Sequence, residues 1–224
     1  MGRITSFFLV KVLYNLMVML EYEYKFLSIM KKTISILLLF ITIAFSYTFS
    51  KSVDATSGDG KLAIIYTNQG NIKINLFEKE APETSKNFIE YAETGKYNGT
   101  IFHRVIANFM IQGGGHLPDM SEITTNAPIV NESSNNISNT KGTIAMARTS
   151  DPHSATSQFF INLKDNDFLD KSKSPDGYGY CVFGEVVEGI EIVEKIGSTQ
   201  TGNVGYFSDV PTNTITIEKI EISE

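Results

Sequence analysis

Apolar and polar residues alternate in short runs from Lys61 to the end of the chain, and turn-forming residues such as Asn68 and Gly70 separate the runs. Such alternation is the pattern of a β-strand with one buried face. Seven or eight strands joined by turns predict either a closed barrel or a sandwich. The predicted strands are Leu62–Thr67, Asn71–Phe77, Thr100–Ile106, Phe109–Gln112, Gly142–Arg148, Gln158–Leu163, Cys181–Val187 and Thr214–Ser223, with a further short one over 128–130.

Two segments have the spacing of helices instead of strands. The first is predicted to begin at Pro82 and to end at Gly95, and the second spans 187–196. Two such helices could close the open ends of a barrel. Residues 114–141 and 165–180 are polar and lack periodicity, so we expect them to be surface loops.

Residues 1–60 differ from the rest of the chain. Lys31 and Lys32 precede a twelve-residue apolar run over 34–45, which is typical of a secretory signal peptide. The run is shorter than the roughly 20 residues that a membrane-spanning helix needs. Small residues follow it, so we expect cleavage within 46–55. The chain is therefore divided into a hydrophobic signal region over 1–55, a linker over 56–60 and a folded domain over 61–224.

A second apolar stretch, from Phe7 to Leu20, lies upstream of that run and has two interpretations. It is an uncleaved membrane anchor, or the start codon has been placed too early and Met30 is the true initiator. Both interpretations predict that the folded domain is exported. The first also predicts that the domain stays attached to the membrane.

The folded domain is acidic. Residues 61–224 contain 13 Lys and Arg against 21 Asp and Glu, a net charge of −8. Nucleic-acid binding requires a basic surface, so we expect no nucleic-acid partner. The single cysteine excludes an internal disulfide and a cysteine-based zinc site. The three histidines are not at ligand spacing, so we expect no metal ion.

The histidines and the cysteine have simpler interpretations. We expect His103 to be a structural, hydrogen-bonded side chain on its strand. His116 and His153 fall in predicted loops, where we expect them to be solvated. Cys181 opens an apolar strand and is expected to pack as a small apolar side chain.

Several outward side chains on neighbouring strands do not fit a solvated surface. Because side chains alternate along a strand, Arg104 is predicted to share a side with Phe102 and Ile106. An apolar concavity with a few convergent polar groups is the usual form of a ligand site, although scattered apolar residues are also common on protein surfaces. The residues that alternation places on this outer face are Arg104, Met110, Gln112, Ala145, Ala147 and Phe160.

Four motifs occur in order along the domain: FHRVIANFMIQGG over 102–114, GTIAMAR over 142–148, SQFFI over 157–161 and VFGEV over 182–186. They resemble the motifs of the cyclophilins, the cyclosporin-type peptidyl-prolyl cis-trans isomerases. The resemblance runs from about Lys61 to Ser223 and implies a mainly β fold, a closed eight-stranded antiparallel barrel capped by two α-helices. The Met-Ala-Arg-Thr form of the second motif and the signal peptide are similar to the periplasmic bacterial branch, which implies a periplasmic location.

The resemblance also implies the active-site residues. Arg104 would be catalytic, and Gln112 would hold both Arg104 and the substrate backbone. Phe109, Met110 and Phe160 would form the wall of a proline pocket. The full substrate-binding set implied is Phe109, Met110, Gln112, Ala147, Arg148, Gln158, Phe160, Phe168, Leu169 and Tyr180, with Leu169 at the rim of the pocket and Ala147, Arg148 and Gln158 along the groove for residues before the proline.

Three positions depart from the pattern of the family. Phe168 stands where many members carry tryptophan and Tyr180 where they carry histidine, so we expect cyclosporin to bind weakly. Ala107 and Asn108 replace the usual Pro-Gly, which we expect to change only the turn. The resemblance further implies proline-containing polypeptides as partners and no cofactor, and we expect a monomer.

Two other functions are open to the same residues. The groove could capture proline-containing segments as a chaperone or scaffold with little turnover, although the intact Arg104 and Gln112 argue against an inactive site. A small-ligand barrel of the lipocalin type would need an open interior. The inward residues Ile144, Phe159 and Ile161 predict a filled one.

Overall fold

The structure is a computed structural model, which describes Met17, Met19, Met30 and residues 60–223. The chain divides into two units, Met1–Ser57 and Gly58–Glu224, and the second is described below. The predicted signal region and membrane anchor lie outside the described residues, apart from the three methionines. No helix within the described part of the chain is long and apolar enough to cross a membrane.

Residues 60–223 form ten strands and two α-helices. The helices are α1 (Pro82–Glu93) and α2 (Ile190–Gly197), and short 3₁₀ turns occur at Ser133–Asn135 and Asp167–Leu169. The strands are β1 (Leu62–Thr67), β2 (Gly70–Leu76), β3 (Phe102–Ile106), β4 (Met110–Gly113), β5 (Thr143–Met146), β6 (Phe159–Asn162), β7 (Val182–Glu188), β8 (Thr201–Val204), β9 (Phe207–Pro211) and β10 (Ile217–Ser223).

Eight of the strands form one antiparallel sheet in the order β10-β1-β2-β7-β5-β6-β4-β3. Its two edges meet just before β3 and β10, where Ile101 and Thr216 form an isolated antiparallel bridge. The backbone N–H of Phe102 also donates to the carbonyl of Ile215 at 2.9 Å. The sheet therefore curls strongly onto itself, and the predicted eight-stranded antiparallel barrel with two helices is confirmed.

Aromatic side chains fill the inside of the curled sheet. The ring of Phe88 on α1 lies 5.5 Å from that of Phe159 and 5.3 Å from that of Phe183, and all three side chains are fully buried. Helix α2 adds Val193 and Ile196 to the same core. Burial of each large apolar side chain contributes about 1.5–3 kcal/mol. A filled interior excludes the lipocalin-type alternative.

The first turn of helix α1 has few backbone N–H groups left without a partner. Helix α1 begins at Pro82, whose missing N–H costs nothing in a first turn. The carboxylate of Glu132 accepts hydrogen bonds from the backbone N–H of Thr84 at 2.8 Å and of Glu83 at 3.2 Å, which satisfies two free donors of that turn. This contact also ties the long loop over 114–141 to the helix.

The predicted start of the second helix is too early. Val187 and Glu188 extend β7, and α2 begins only at Ile190. Between them Gly189 adopts a left-handed conformation with φ 85°, and a Cβ atom there would lie 2.3 Å from the carbonyl oxygen of Asn71. The apolar spacing is helical on both sides of this glycine, and only the backbone geometry at Gly189 separates strand from helix.

The predicted alternation on β3 is wrong at its start. Phe102 pairs with Gly113 and Arg104 pairs with Gln112, so one extra residue, His103, is accommodated between them. A bulge of this kind shifts the alternation by one residue. Phe102 therefore faces the main core, whereas Arg104 faces the opposite side of the sheet.

One hairpin of the structure is not predicted by the sequence pattern. Strands β8 and β9 pair only with each other, next to β3. Most of their residues are exposed, so they lack the alternation that reveals a half-buried strand. The short strand predicted over 128–130 is reduced to a single bridge between Ile129 and Ala155.

Candidate active site

A pocket of about 240 Å³ lies on the outer face of β3, β4 and β6. It is smaller than the roughly 300–1,000 Å³ of sites that enclose whole drug-sized ligands, so its size suits one side chain of a longer ligand. Nine of the eleven residues implied by the family resemblance line it: Arg104, Phe109, Met110, Gln112, Ala147, Arg148, Phe160, Leu169 and Tyr180. The remaining two, Gln158 and Phe168, contact residues of this set.

The base of the pocket is a second apolar cluster, separate from the main core. Met110, Phe160 and Leu169 are each at most 9% exposed, and they pack with the fully buried Ala145. The ring of Tyr180 meets that of Phe160 edge to face, with 5.7 Å between the ring centroids. Because Ala145 on β5 is small, it leaves space at the bottom of the pocket, and the larger residues on β4 and β6 surround that space.

Phe109 and Phe168 form one rim of the pocket. Their rings are stacked with 5.7 Å between centroids, and Phe168 is 49% exposed. Asn108, in the turn before Phe109, adopts a left-handed conformation with φ 57°, which asparagine tolerates better than most residues. The turn at Ala107 and Asn108 is therefore compatible with a normal rim.

Arg104 lines the same pocket from β3. Its side chain is 43% exposed, and Nε lies 3.8 Å from Oδ2 of Asp209 on β9. Within the described residues its guanidinium makes no side-chain hydrogen bond. The fork of N–H donors that the guanidinium presents is thus available to a ligand.

Gln112 is the cross-strand neighbour of Arg104, but its side chain turns toward Gln158. Nε2 of Gln112 donates to Oε1 of Gln158 at 2.8 Å. Gly115 makes room for this contact, because a Cβ atom there would lie 2.4 Å from Cγ of Gln158. The two amides form a polar border between the pocket and the groove beside it.

Arg148 is held by contacts within the protein. Its Nε donates to the carbonyl of Gly179 at 3.0 Å, and its guanidinium lies 4.5 Å from the centroid of the Tyr180 ring. Asp176 accepts a further hydrogen bond from Nη2. The pKa of the Asp176 carboxyl lies well below its usual range because the backbone N–H of Tyr178, the hydroxyl of Ser174 and Arg148 all donate to it. Arg148 therefore shapes the groove as a fixed, buried side chain.

A row of buried amides supports the rim from behind. Nδ2 of Asn166 donates to the carbonyl of Phe109 at 2.9 Å and to Oδ1 of Asn162 at 2.8 Å. Nδ2 of Asn162 in turn donates to Oγ1 of Thr143 at 2.9 Å. Both asparagines are fully buried. They join the loop over 165–180 to the strands that carry the pocket.

Two histidines lie together behind the site, and the prediction that His116 is solvated is wrong. His116 is 3% exposed, and its ring centroid lies 4.3 Å from that of His103. Burial, followed by the effect of His116, lowers the pKa of His103 to about 4. Burial also lowers the pKa of His116, against the opposing effect of Glu122. His153 lies in a loop and is exposed, as predicted.

Cys181 packs as predicted, at 3% exposure. Burial raises the pKa of its thiol to about 11. Since the thiolate is the nucleophile, this cysteine is inert at neutral pH. Among the described residues, no group of three or more histidine, cysteine or acidic side chains is arranged to hold a metal ion.

Three residues near the pocket are not predicted by the sequence pattern: Asp176, Asn166 and Asp209. Asp176 and Asn166 lie in the aperiodic segment over 165–180, and Asp209 lies in the hairpin that alternation does not reveal. The only available signal was the density of short polar side chains in that segment, which is typical of any loop. Alternation and the family motifs do not extend to these positions.

The chain is similar in sequence to a known protein family and to individual members of it. The sequence model of the family described as "Cyclophilin type peptidyl-prolyl cis-trans isomerase/CLD" matches residues 62–222. The chain is 54% identical to "Peptidyl-prolyl cis-trans isomerase B" of Escherichia coli strain K12, over 73% of this chain and the whole of that protein. It is 47% identical to "Peptidyl-prolyl cis-trans isomerase A" of Dickeya dadantii, over 81% of this chain and 94% of that protein.

One solved structure is similar over most of the domain. It is a cyclophilin-type peptidyl-prolyl cis-trans isomerase of Cryptosporidium parvum, crystallised in the presence of the dipeptide Ala-Pro. The TM-score is 0.61 at 27% sequence identity, and the match covers 73% of this chain and 99% of that one.

Proposed function

The chain belongs to the family of cyclophilin-type peptidyl-prolyl cis-trans isomerases, and from this we propose that it catalyses Xaa-Pro rotation in exported proteins by means of Arg104. Its activity is that of a peptidyl-prolyl cis-trans isomerase. The observation that carries the proposed mechanism is the placement of one half-exposed guanidinium at the side of a small apolar pocket.

The reaction needs no nucleophile, because no covalent bond breaks. Amide resonance opposes rotation with a barrier of about 18–20 kcal/mol, and the uncatalysed exchange takes tens to hundreds of seconds. In the twisted state the nitrogen has lost conjugation and its lone pair accepts hydrogen bonds. The enzyme must therefore bind the twisted amide more tightly than either planar form.

Arg104 has the right chemistry for this differential binding. Its guanidinium can donate to the amide nitrogen, whose lone pair is available only when the bond is twisted, or it can stabilise the turning carbonyl oxygen. Met110 and Phe160 would hold the pyrrolidine ring while the preceding carbonyl moves. With the pyrrolidine ring held in place, the preceding carbonyl would rotate about the Xaa-Pro amide bond beside the guanidinium of Arg104.

We propose that the substrate is an extended proline-containing polypeptide. The segment before the proline would lie along Ala147 and Gln158, next to the fixed side chain of Arg148. The Ala-Pro dipeptide present with the Cryptosporidium parvum isomerase is a minimal ligand of this class. Cyclosporin is expected to bind weakly, because Phe168 and Tyr180 stand where many members of the family carry tryptophan and histidine.

The export part of the proposal rests on residues outside the described part of the chain. Lys31, Lys32 and the apolar run over 34–45 support secretion into the periplasm. Full-length protein expressed in a Gram-negative host should appear in the periplasm, with its N-terminus at a bond within 46–55. Deletion of 34–45 should retain it in the cytoplasm. Cytoplasmic, uncleaved wild-type protein would contradict export.

The mechanism is tested by proline exchange in a short peptide with one Xaa-Pro bond, measured by exchange NMR. Wild-type chain should accelerate exchange, and Arg104→Ala should lose most of that acceleration while its circular dichroism stays unchanged. Lys86→Ala, which removes a positive charge from the exposed side of α1, is the matched control and should retain full activity. Normal turnover of Arg104→Ala would exclude the mechanism. Peptide binding without accelerated exchange in wild type would favour the chaperone or scaffold alternative.

A further inference from the structure

The hairpin formed by β8 and β9 brings a carboxylate to Arg104. Val210 and Pro211 at the end of β9 are buried, so the hairpin is fixed beside β3. The residue before them, Asp209, reaches across and places Oδ2 at 3.8 Å from Nε of Arg104. Among the described residues this is the one acidic side chain paired with that guanidinium.

The backbone at Asp209 is unusual. Its φ is 61°, in the left-handed region that residues other than glycine rarely adopt. Sparsely populated backbone conformations are concentrated at functional sites. Aspartate and asparagine are the side chains that tolerate this region best. The identity of residue 209 thus agrees with both its backbone conformation and its contact.

The contact involves one side of the guanidinium. Asp209 faces Nε, whereas Nη1 and Nη2 form the opposite, forked side and have no hydrogen-bond partner within the described residues. We propose that Asp209 is a positioning residue for Arg104, which holds the Nε side so that the Nη fork faces the twisted amide. This inference rests on the proposed function, because it assigns a role to a neighbour of the proposed catalytic residue.

The separation of 3.8 Å is longer than a hydrogen bond, which spans about 2.7–3.2 Å. Contacts at active sites are often long without substrate and shorten in the complex. Both side chains are partly exposed, 43% for Arg104 and 40% for Asp209, so water screens much of their attraction. The carboxylate therefore limits the orientations of a long, flexible side chain more than it changes its charge.

The test compares Asp209→Asn with wild type in the full-length chain. Asparagine has the same shape and tolerates the left-handed backbone, so the substitution removes the charge and leaves the fold. We expect kcat to fall about two- to fivefold, the factor that a partly exposed ion pair supplies, with little change in KM. The control is Glu218→Gln, which removes a carboxylate from an exposed position on β10 and should leave both kcat and KM unchanged.

A second comparison separates positioning from a structural role. Introduced into the Arg104→Ala background, Asp209→Asn should have no further effect on the residual exchange, because the group through which it acts is absent. An equal loss in both backgrounds would overturn the proposal, as would wild-type kcat in the single variant.

A spectroscopic measurement tests the contact without reference to turnover. The chain has three arginines, Arg3, Arg104 and Arg148, so its Nε–H spectrum is simple and the Arg104 signal is identified by its loss in Arg104→Ala. Asp209→Asn should shift this signal, whereas Glu218→Gln should not. If wild-type protein proved inactive, the isomerase mechanism would fail, and an unchanged Arg104 signal in Asp209→Asn would then separately overturn the positioning role.

Discussion

The side-chain amide of Gln112 donates a hydrogen bond of 2.8 Å to Oε1 of Gln158. The contact joins β4 to the residue that precedes β6, at the border between the pocket and the groove. It directs Gln112 away from Arg104, although the two residues are cross-strand neighbours. The groove and the pocket therefore share a fixed polar boundary that a substrate backbone can contact.

Gln158→Leu should weaken catalysis without unfolding the domain. The substitution leaves the Gln112 amide without its acceptor, and a single hydrogen bond contributes about 0.5–1.5 kcal/mol, so kcat/KM should fall about two- to tenfold. Peptide exchange by NMR measures the effect. Gln200→Leu, at an exposed position outside the site, is the control and should behave as wild type. Unchanged kcat/KM in Gln158→Leu would show that this boundary has no role.

Much of the barrel and its pocket could be predicted from the sequence. Alternation along β4 and β6 places Met110, Gln112 and Phe160 on an outer face, and the structure places them around one pocket. These strands are half-buried, so each side chain reports its environment through its polarity. The same physical rule identified the main core, including Phe159 and Ile161.

The features that the sequence did not reveal depend on backbone geometry. The bulge at His103 changes which side of β3 faces the core, and it cannot be predicted from the residue types in the strand. The hairpin that carries Asp209 is too exposed to show alternation. The aperiodic segment around His116 predicts a solvated side chain, but that segment folds back over His103. In each case the position depends on contacts between residues distant in sequence.

Asn166→Ala should loosen the rim of the pocket. Asn166 donates to the carbonyl of Phe109 and to Oδ1 of Asn162. Its removal leaves the buried Oδ1 of Asn162 without this donor, whereas the carbonyl of Phe109 keeps the backbone N–H of Leu163. Such losses cost about 1–3 kcal/mol, so the free energy of unfolding should fall by that amount in urea titrations. KM for the peptide should rise as well, because Phe109 is held less firmly.

The matched control for Asn166→Ala is Asn213→Ala, at an exposed position before β10. It should change neither the unfolding midpoint nor KM. If Asn166→Ala lowered stability but left KM unchanged, the amides would support the fold without fixing the rim.

Phe168→Trp should strengthen cyclosporin binding. Phe168 is 49% exposed and stacks on Phe109, so a larger ring can be added there without displacing buried atoms. The indole adds apolar area and an N–H donor, and an aromatic contact adds about 0.5–1.5 kcal/mol, which is a gain in affinity of about two- to tenfold. Calorimetric titration measures it. Tyr178→Trp, in the same loop but outside the pocket, should not change the affinity.

Stability should depend on pH through the buried histidine pair. His103 and His116 lie with their rings 4.3 Å apart, next to Arg104, and Glu122 is the acidic group that faces them, with its Oε1 3.9 Å from Nε2 of His116. In the folded state the pKa of His103 is about 4, against 6.5 for a free histidine. The unfolded chain therefore binds more protons than the folded chain between these values.

The contribution of His103 to the free energy of unfolding should accordingly be constant well above pH 6.5 and fall as the pH is lowered toward 4, by up to about 3 kcal/mol, since each pKa unit corresponds to about 1.36 kcal/mol. Carboxylates such as Asp176 lose their contribution only at lower pH, because their pKa is lowered in the folded state. His116→Phe keeps a ring against Phe207 and removes the second imidazole. The free energy of unfolding, measured by urea titration at several pH values in this window, should therefore fall less steeply with decreasing pH than it does in wild type. Equal slopes for the two proteins would mean that the pair does not titrate as a unit and that the acid sensitivity comes from other groups.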